Sequence, residues 1–485
     1  MSDTNVNMTD ELKKSLDVTK ASFTQGTGLV NYNLEAPAKM LVPVLTPLRN
    51  RIPRVVTQGG TQSNWKAITS FDSANIGFGV EEGKRGGLLS PTVQNYAAGF
   101  SYCGLESSFT WEAEYAAVGF DDVRSRNAEN LLKQFMIKEE QCILGGLGTF
   151  GLGVAPTPAT PTFATTGGTI AAGTYFVFVS SLSLEGFLSS SVAAGLPGQV
   201  TRTNADASTS VYGGGNSQIS VASASVTSTG ATSTISTTCA AVAGAVAYAW
   251  YFGTSAATAG LAAITTVNAV TFATAPAGAQ KANDAKLAAD FSANALVFDG
   301  LLSQAYKSGS QSYIKSLNGA TLTSDGAGGI VEIDAALKDR WDNYRLSPTV
   351  IFVNSTEAQT ITKKVIANGG APLVRLAGDG SGPVSIAGGA VVGSYLNKFA
   401  MGTGQLIPIL IHPFVPAGTI LMVTEELPYP VDNIPNLFQM KLRREYFLTE
   451  WPVTSRLQAT GVYTDGVLQC YFPASMAVIC NVLAG

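Results

Sequence analysis

Charge is the scarcest property of this sequence. Of its 485 residues only 13% are Asp, Glu, Lys or Arg, against roughly 25% in an average soluble domain. Hydrophobic residues make up 46%, so much of the surface has to be built from Ser, Thr, Gly, Ala and Asn. Such a surface suits a subunit whose faces lie against neighbours, because a charge at a contact has to shed its water first. Oligomerisation is therefore expected. No long Lys/Arg run occurs and the formal net charge is -4, which argues against tight nucleic-acid binding through clustered phosphate contacts. Two small basic clusters, Arg49, Arg51, Arg54 and Lys441, Arg443, Arg444, read as solvated faces or as salt bridges between subunits.

Histidine is almost absent, and the single His412 lies between Ile411 and Pro413 in an apolar run. A base for a Ser or Cys nucleophile would have to be this residue, yet its neighbours predict a packed core or interface histidine. The five cysteines, Cys103, Cys142, Cys239, Cys470 and Cys480, are odd in number and form no C-x-x-C pair. Neither a disulfide framework nor a zinc site is signalled, and buried thiols are expected. Residues 1–20 are polar, with Leu12 and Leu16 at helical spacing, and lack the apolar core of a signal peptide; the protein is expected to stay in the cytoplasm where it is made. Residues 406–424 are interrupted by Pro408, Pro413 and Pro416, and residues 239–252 fall short of the roughly 20 needed to cross a bilayer, so no membrane span is expected.

Local signs of chemistry fail on context. Gly146-Leu147-Gly148-Thr149-Phe150-Gly151 matches G-x-G-x-x-G but follows a helical pattern, whereas a dinucleotide site needs a strand before it and a helix after it. The adjacent acids Glu81-Glu82, Asp121-Asp122, Glu139-Glu140 and Glu425-Glu426 diverge on either a strand or a helix and cannot share a proton or a metal. The sequence therefore assigns no catalytic, cofactor-binding or metal-ligating residue and no cofactor.

The chain is long enough for two or three domains. Residues 1–54 end in Leu41-Val42-Pro43-Val44-Leu45-Thr46-Pro47-Leu48-Arg49-Asn50-Arg51-Ile52-Pro53-Arg54, where spaced prolines impose extended geometry and predict an arm that lies along another surface. Residues 64–71 and 92–111 are strand-prone and flank a glycine-rich tip at 77–87, predicting a long hairpin supported by a neighbouring subunit, because an isolated two-stranded ribbon is marginal in water. Residues 121–144 carry Val123, Leu131, Leu132, Phe135, Met136 and Ile143 at helical spacing. They predict a rod capped by Asp121, stopped at Gly145-Gly146, and burying Leu132 and Phe135.

From residue 151 to 285 charge nearly disappears and short alternating runs predict a separate β domain, with strands at 174–181, 218–224, 233–237, 245–253 and 262–271. It is expected to be an independent module, its chain brought back by an extended segment within residues 145–161. Helical spacing returns at 284–308 and 331–344. A strand at 349–353 is followed by Asn354-Ser355-Thr356-Glu357, which resembles a capping box opening a helix that stops at Asn368-Gly369. Strands are expected at 405–412, 419–424, 439–446 and 467–472, an α+β pattern without the regular alternation of a wound parallel sheet.

Residues 172–179 together with 243–253 resemble fibronectin type III and related immunoglobulin-like sandwiches. The order of the remaining parts resembles the major capsid proteins of tailed bacteriophages, the Hong Kong 97 type fold, over residues 36–150 and 284–485. It is carried by the arm sequence 45–54, by Phe298-Asp299-Gly300-Leu301-Leu302, by Ser347-Pro348-Thr349-Val350-Ile351-Phe352-Val353, and by Val415-Pro416-Ala417-Gly418-Thr419-Ile420-Leu421. The resemblance implies an N-terminal arm (1–54), an extended loop (55–114), a spine helix (115–150), an inserted sandwich (151–284), and the rest of a peripheral domain with an axial domain (285–485). It also implies hexamers and pentamers of an icosahedral virion shell assembled in the host bacterial cytoplasm, with scaffold, portal and decoration proteins as partners and weak, non-specific contact with packaged DNA. Some relatives lock the shell through a Lys to Asn isopeptide bond; Lys84 lies in the loop tip here, and no Asn can be matched to it. An encapsulin-type shell and a phage tail or surface adhesin are the alternatives.

Overall fold

A computed structural model of the chain describes residues 35–57, 59–71, 77, 79–367, 374–377, 385–388, 392–400, 404–428, 434, 436–453 and 455–485. The helix expected within residues 1–20 and the helix stop at Asn368-Gly369 lie outside them. Architecture is α+β, as expected, and rests on a six-stranded mixed sheet, a four-stranded sheet crossed by one long helix, and a β-rich insert that follows the long helix in sequence.

The six-stranded sheet runs in the order Tyr313–Ser316, Met476–Cys480, Ile420–Val423, Val350–Val353, Gln405–Ile411, Ser394–Asn397. Its central strands are apolar at every position because both faces are covered. Successive side chains alternate between two cores. Val350, Phe352, Leu421, Val423 and Val478 join the end of the long helix on one side. Ile351, Val353, Ile420, Met422 and Ile479 join the helices Val331–Tyr344 and Ser355–Ala367 on the other. Each such side chain contributes about 1.5–3 kcal/mol on burial.

The four-stranded sheet has the order Arg54–Val56, Phe438–Glu450, Leu457–Cys470, Ser101–Thr110. Residues 92–111 are thus two strands. The run breaks at Phe100, so the hairpin consists of Gln62–Phe71 with Pro91–Gly99 alone, and Ser101–Thr110 belongs to the body sheet, paired along its whole length with Leu457–Cys470. Across this sheet lies the helix Val123–Gly145, roughly 34 Å long at about 1.5 Å per residue. Asp122 and not Asp121 caps it, its Oδ1 accepting the Arg124 and Ser125 amides at 3.0 and 3.3 Å. Asp121 instead accepts the amide of Ala38 and the guanidinium of Arg126. Phe135 is buried as expected, but Leu132 is 37% exposed and Leu131 takes its place against the sheet.

In the insert, a four-stranded sheet (Gly260–Thr265, Ala247–Gly253, Gly173–Leu182, Val226–Ser228) faces a three-stranded one (Ala269–Phe272, Thr234–Thr238, Thr162–Ala164). Val177, Val179, Tyr248, Trp250 and Phe252 meet Ile235, Val270 and Phe272 between them. Behind the larger sheet, Phe178, Ala249, Tyr251 and Leu261 are covered by Leu196, Ala282 and Leu287. That double cover is why residues 247–253 read as one unbroken apolar run. The expected strand 262–271 is two, separated by a turn at 266–268. The expected strand 218–224 does not form. Instead the amides of Ser217, Ser220 and Ser223 donate to the carbonyls of Ser181, Val179 and Val177 at 2.8–2.9 Å, while their hydroxyls accept the amides of the same three residues. Three residues on one side span two on the other, and side-chain oxygens complete a ladder that a regular strand would make with its backbone.

The sandwich is also joined to the body. Leu184 and Val246 are buried in the same cluster as Ile143, Leu144, Phe298 and Leu301. The helix expected at 284–308 reduces to a single turn, Ala285–Leu287, and the helix Leu301–Tyr306. Between them Asp290 and Asn294 hydrogen-bond the amides of Ser292 and Leu296, local bonds that compete with a helix.

Candidate assembly surfaces

The arm lies along the long helix of its own subunit. Ala38 donates to Asp121, Arg126 donates to the Ala38 carbonyl at 3.2 Å, and Lys133 reaches Met40. The arm then turns into the short helix Pro47–Arg51, whose N-cap residue Thr46 makes no side-chain cap. Glu140, from the long helix, supplies it: Oε1 accepts the Leu48 amide at 2.9 Å and Oε2 the Arg49 amide at 2.7 Å. His412 Nε2 lies 2.7 Å from the same Oε1. Because the Phe414 amide donates to His412 Nδ1 at 3.1 Å, the proton sits on Nε2 and the imidazole donates to the carboxylate.

Glu139, one residue earlier, takes Arg49 Nε and Arg54 Nη1, each at 2.9 Å, and the Tyr446 hydroxyl. Both guanidinium groups lie over the Tyr446 ring. Arg51 forms a two-bonded pair with Glu425 at 2.7 Å. Arg49, Arg51 and Arg54, read from sequence as solvated or intersubunit, are thus partners of carboxylates in their own chain, whereas Arg444 of the second cluster is exposed. Two carboxylates buried on one helix oblige the segment packed on them to bring donors. As expected, Glu139 and Glu140 diverge and share no proton, yet they grip the same stretch of arm. Among the described arm residues the exposed large hydrophobic side chains are Leu41, at 90% exposure, Val42 and Leu45.

Among the described residues the hairpin is anchored at its base. Trp65 stacks on Tyr96 at 5.7 Å and meets Tyr471 edge-on at 5.9 Å, and Ser63 donates to Gln469. Beyond the base Ile68 (61% exposed), Phe71, Val93 and Leu88 (84% exposed) face outward. Lys84 is exposed and pairs with Glu81 at 3.4 Å.

The G-x-G-x-x-G string forms the neck of the insert. The chain leaving the long helix runs beside the chain returning to it: Asn294 donates to the Leu147 carbonyl and Gly300 to that of Gly146, both at 2.8 Å. A Cβ at Gly146 would lie 2.4 Å from the Phe298 carbonyl oxygen, and one at Gly148 would lie 2.1 Å from that of Val297. Asp299 ties the two segments, accepting the Gly148 and Thr149 amides at 2.8 and 3.0 Å. Gly146 and Gly148 are required by backbone contact, which accounts for these two glycines of the motif without a ligand.

All five cysteines are free. Burial pushes the Cys103 thiol up to about 11 and raises Cys142 and Cys470 further, which removes nucleophilic thiolate at neutral pH. Among the described residues no group of three or more His, Cys, Asp or Glu is placed to hold a metal ion, and no helix is long and apolar enough to cross a membrane. The anchors Glu140, Glu139 and Asp299 were not singled out from sequence as structural. The one available signal was a Glu pair inside the apolar stripe of the long helix.

No protein-family model matches the sequence, and no curated protein matches it. Solved structures that align with the chain include the capsid of a native GTA particle, at 9% identity over 94% of this chain and 95% of that chain with a TM-score of 0.41. The capsid of Myoviridae phage XM1 aligns at 8% identity over 96% and 100%, with a TM-score of 0.42. The SrpI encapsulin of Synechococcus elongatus PCC 7942, in its holo complex, aligns at 9% identity over 93% of each chain with a TM-score of 0.40. Identities and TM-scores at this level leave function to be read from the chain's own geometry.

Proposed function

We propose that this chain is a shell subunit, the major capsid protein of a tailed bacteriophage, whose copies form hexamers and pentamers of an icosahedral container for genomic DNA. The observation that carries this reading is the hairpin. It is a two-stranded ribbon outside every larger sheet, with Ile68, Phe71 and Val93 exposed, and a ribbon of that kind is marginal alone. Burial against a second copy supplies what the subunit does not. The outward Leu41, Val42 and Leu45 give the arm the same need, and the scarcity of charge lowers the desolvation cost of both contacts. In this reading residues 1–54 are the arm, 55–114 the extended loop, 115–150 the spine helix, 151–284 an inserted immunoglobulin- or fibronectin-like sandwich, and 285–485 the peripheral remainder and axial domain. Scaffold, portal and decoration proteins are its partners, assembly takes place in the host cytoplasm, and catalysis plays no part. A mildly acidic chain, at -4, holds packaged DNA only weakly.

Electron microscopy and nuclease digestion of the purified protein test this. Closed particles with nuclease-protected DNA are expected, and particles holding protein but no DNA would favour an encapsulin-type shell. A chain lacking residues 77–87 should stay folded and soluble while particles disappear. A full-length protein that remains a monodisperse monomer at high concentration, or a deletion chain that fails to fold, overturns the reading.

A further inference from the structure

Glu140 stands where three parts of the molecule meet. It is fully buried on the long helix. It caps the arm helix through the Leu48 and Arg49 amides, and it accepts the imidazole of His412. His412 follows the strand Gln405–Ile411 and is held to the six-stranded sheet by its own amide, which donates to the Val353 carbonyl at 2.9 Å. Among the described residues none of its hydrogen bonds goes to the arm. A second polar tie, from Arg51 to Glu425 just past the strand Ile420–Val423, is partly exposed and constrains orientation less than a buried bond.

We propose that Glu140 couples the seating of the arm to the position of the six-stranded sheet, so that a shift of one is felt by the other. A buried carboxylate with three donors is compensated. If the sheet carries His412 away, Glu140 is left with two donors and an undercompensated charge. It then turns toward water, and the arm helix loses one of its two caps. By the reciprocity of linked equilibria, releasing the arm frees His412 in turn. On the shell reading, from which this inference draws its use, one sequence occupies sites of different curvature, and the coupling lets an arm respond to the tilt of the sheet in its own subunit.

Hydrogen exchange on the full chain, followed by mass spectrometry, tests the coupling, whether or not shells form. His412→Asn keeps an acceptor for the Phe414 amide but is too short to reach Glu140, whereas His412→Gln restores a donor near the Nε2 position. His412→Asn should speed exchange in residues 46–57 by about tenfold or more, and His412→Gln should leave that segment near the parent rate. Glu140→Gln, read at residues 411–416, gives the reciprocal measurement and serves if His412→Asn does not fold. Faster exchange confined to the neighbourhood of the substituted residue in both variants overturns the proposal.

Discussion

Leu131 and Leu132 are adjacent leucines on one helix, and only the first faces the sheet. Leu131 packs with Phe135 and Val462, while Leu132 points away at 37% exposure. Helical spacing placed the apolar stripe correctly to within one residue, but a Leu-Leu pair does not say which member is inside. The buried stripe continues through Glu139 and Glu140, which a pattern of apolar residues cannot register because their burial depends on donors brought by the arm. Leu131→Asp should cost roughly 3 kcal/mol or more, with no cation at hand to pair the carboxylate, and Leu132→Asp should stay within about 1 kcal/mol of the parent. Denaturant midpoints measure both, and equal losses would place the helix in a different register. His412 was legible as a packed histidine. Its partner was not, since 272 residues separate it from Glu140.

At the scale of elements, strands and helices with strong patterns were read nearly to the residue, among them Val331–Tyr344, Val350–Val353 and Gly173–Leu182. Failures cluster where side chains replace backbone partners: Ser217, Ser220 and Ser223 in place of a strand, Asp290 and Asn294 in place of a helix. The apparent capping box is a similar case. Asn354 does cap its helix, but Glu357 turns inward and accepts the Gly418 amide at 2.6 Å.

The loop before the helix Val331–Tyr344 gives the clearest pH dependence. Asp325 accepts the Ala327 and Gly329 amides and pairs with Lys398, which also pairs with Asp334. These bonds hold its carboxyl down to about 2, below the usual value of about 3.9. A depressed folded-state value means that the stabilisation is complete above about pH 4 and is lost as pH falls through about 2. Asp325→Asn should therefore lower the melting temperature at pH 7 and flatten its decline between those limits. A variant whose melting curve tracks the parent at every pH would show that the loop does not secure the helix.

Across the whole molecule, prolines, glycines and the loss of charge mark the seams at which the sequence divides into arm, hairpin, long helix, insert and α+β remainder. Contacts across those seams were not visible. No pattern announces that Leu184, in the first half of the insert, packs 2.7 Å from where a Cβ at Gly145 would stand. The sandwich is therefore expected to stabilise the body as well as itself. Replacing residues 151–285 with a short Gly/Ser bridge should leave a folded subunit with a lower unfolding midpoint, and Leu184→Ala in the intact chain should reproduce about 2–5 kcal/mol of that loss. An excised chain as stable as the parent would make the insert a passenger.

The bridge in that experiment can be short because the neck already closes the loop. Since Gly146, Gly148, Asn294 and Gly300 hold the outgoing and returning strands side by side, whatever lies beyond them begins and ends at one point. The extended return segment anticipated from sequence is not needed. In mechanical terms the neck is a port: it fixes where the chain leaves and rejoins the frame whatever the length threaded through it, while Leu184, Val246 and the Asn268 to Asn318 hydrogen bond add contacts beside it. A foreign domain with neighbouring termini, if it carries a Leu184-like plug for the groove beside Gly145, can be mounted there without changing the spacing of the frame.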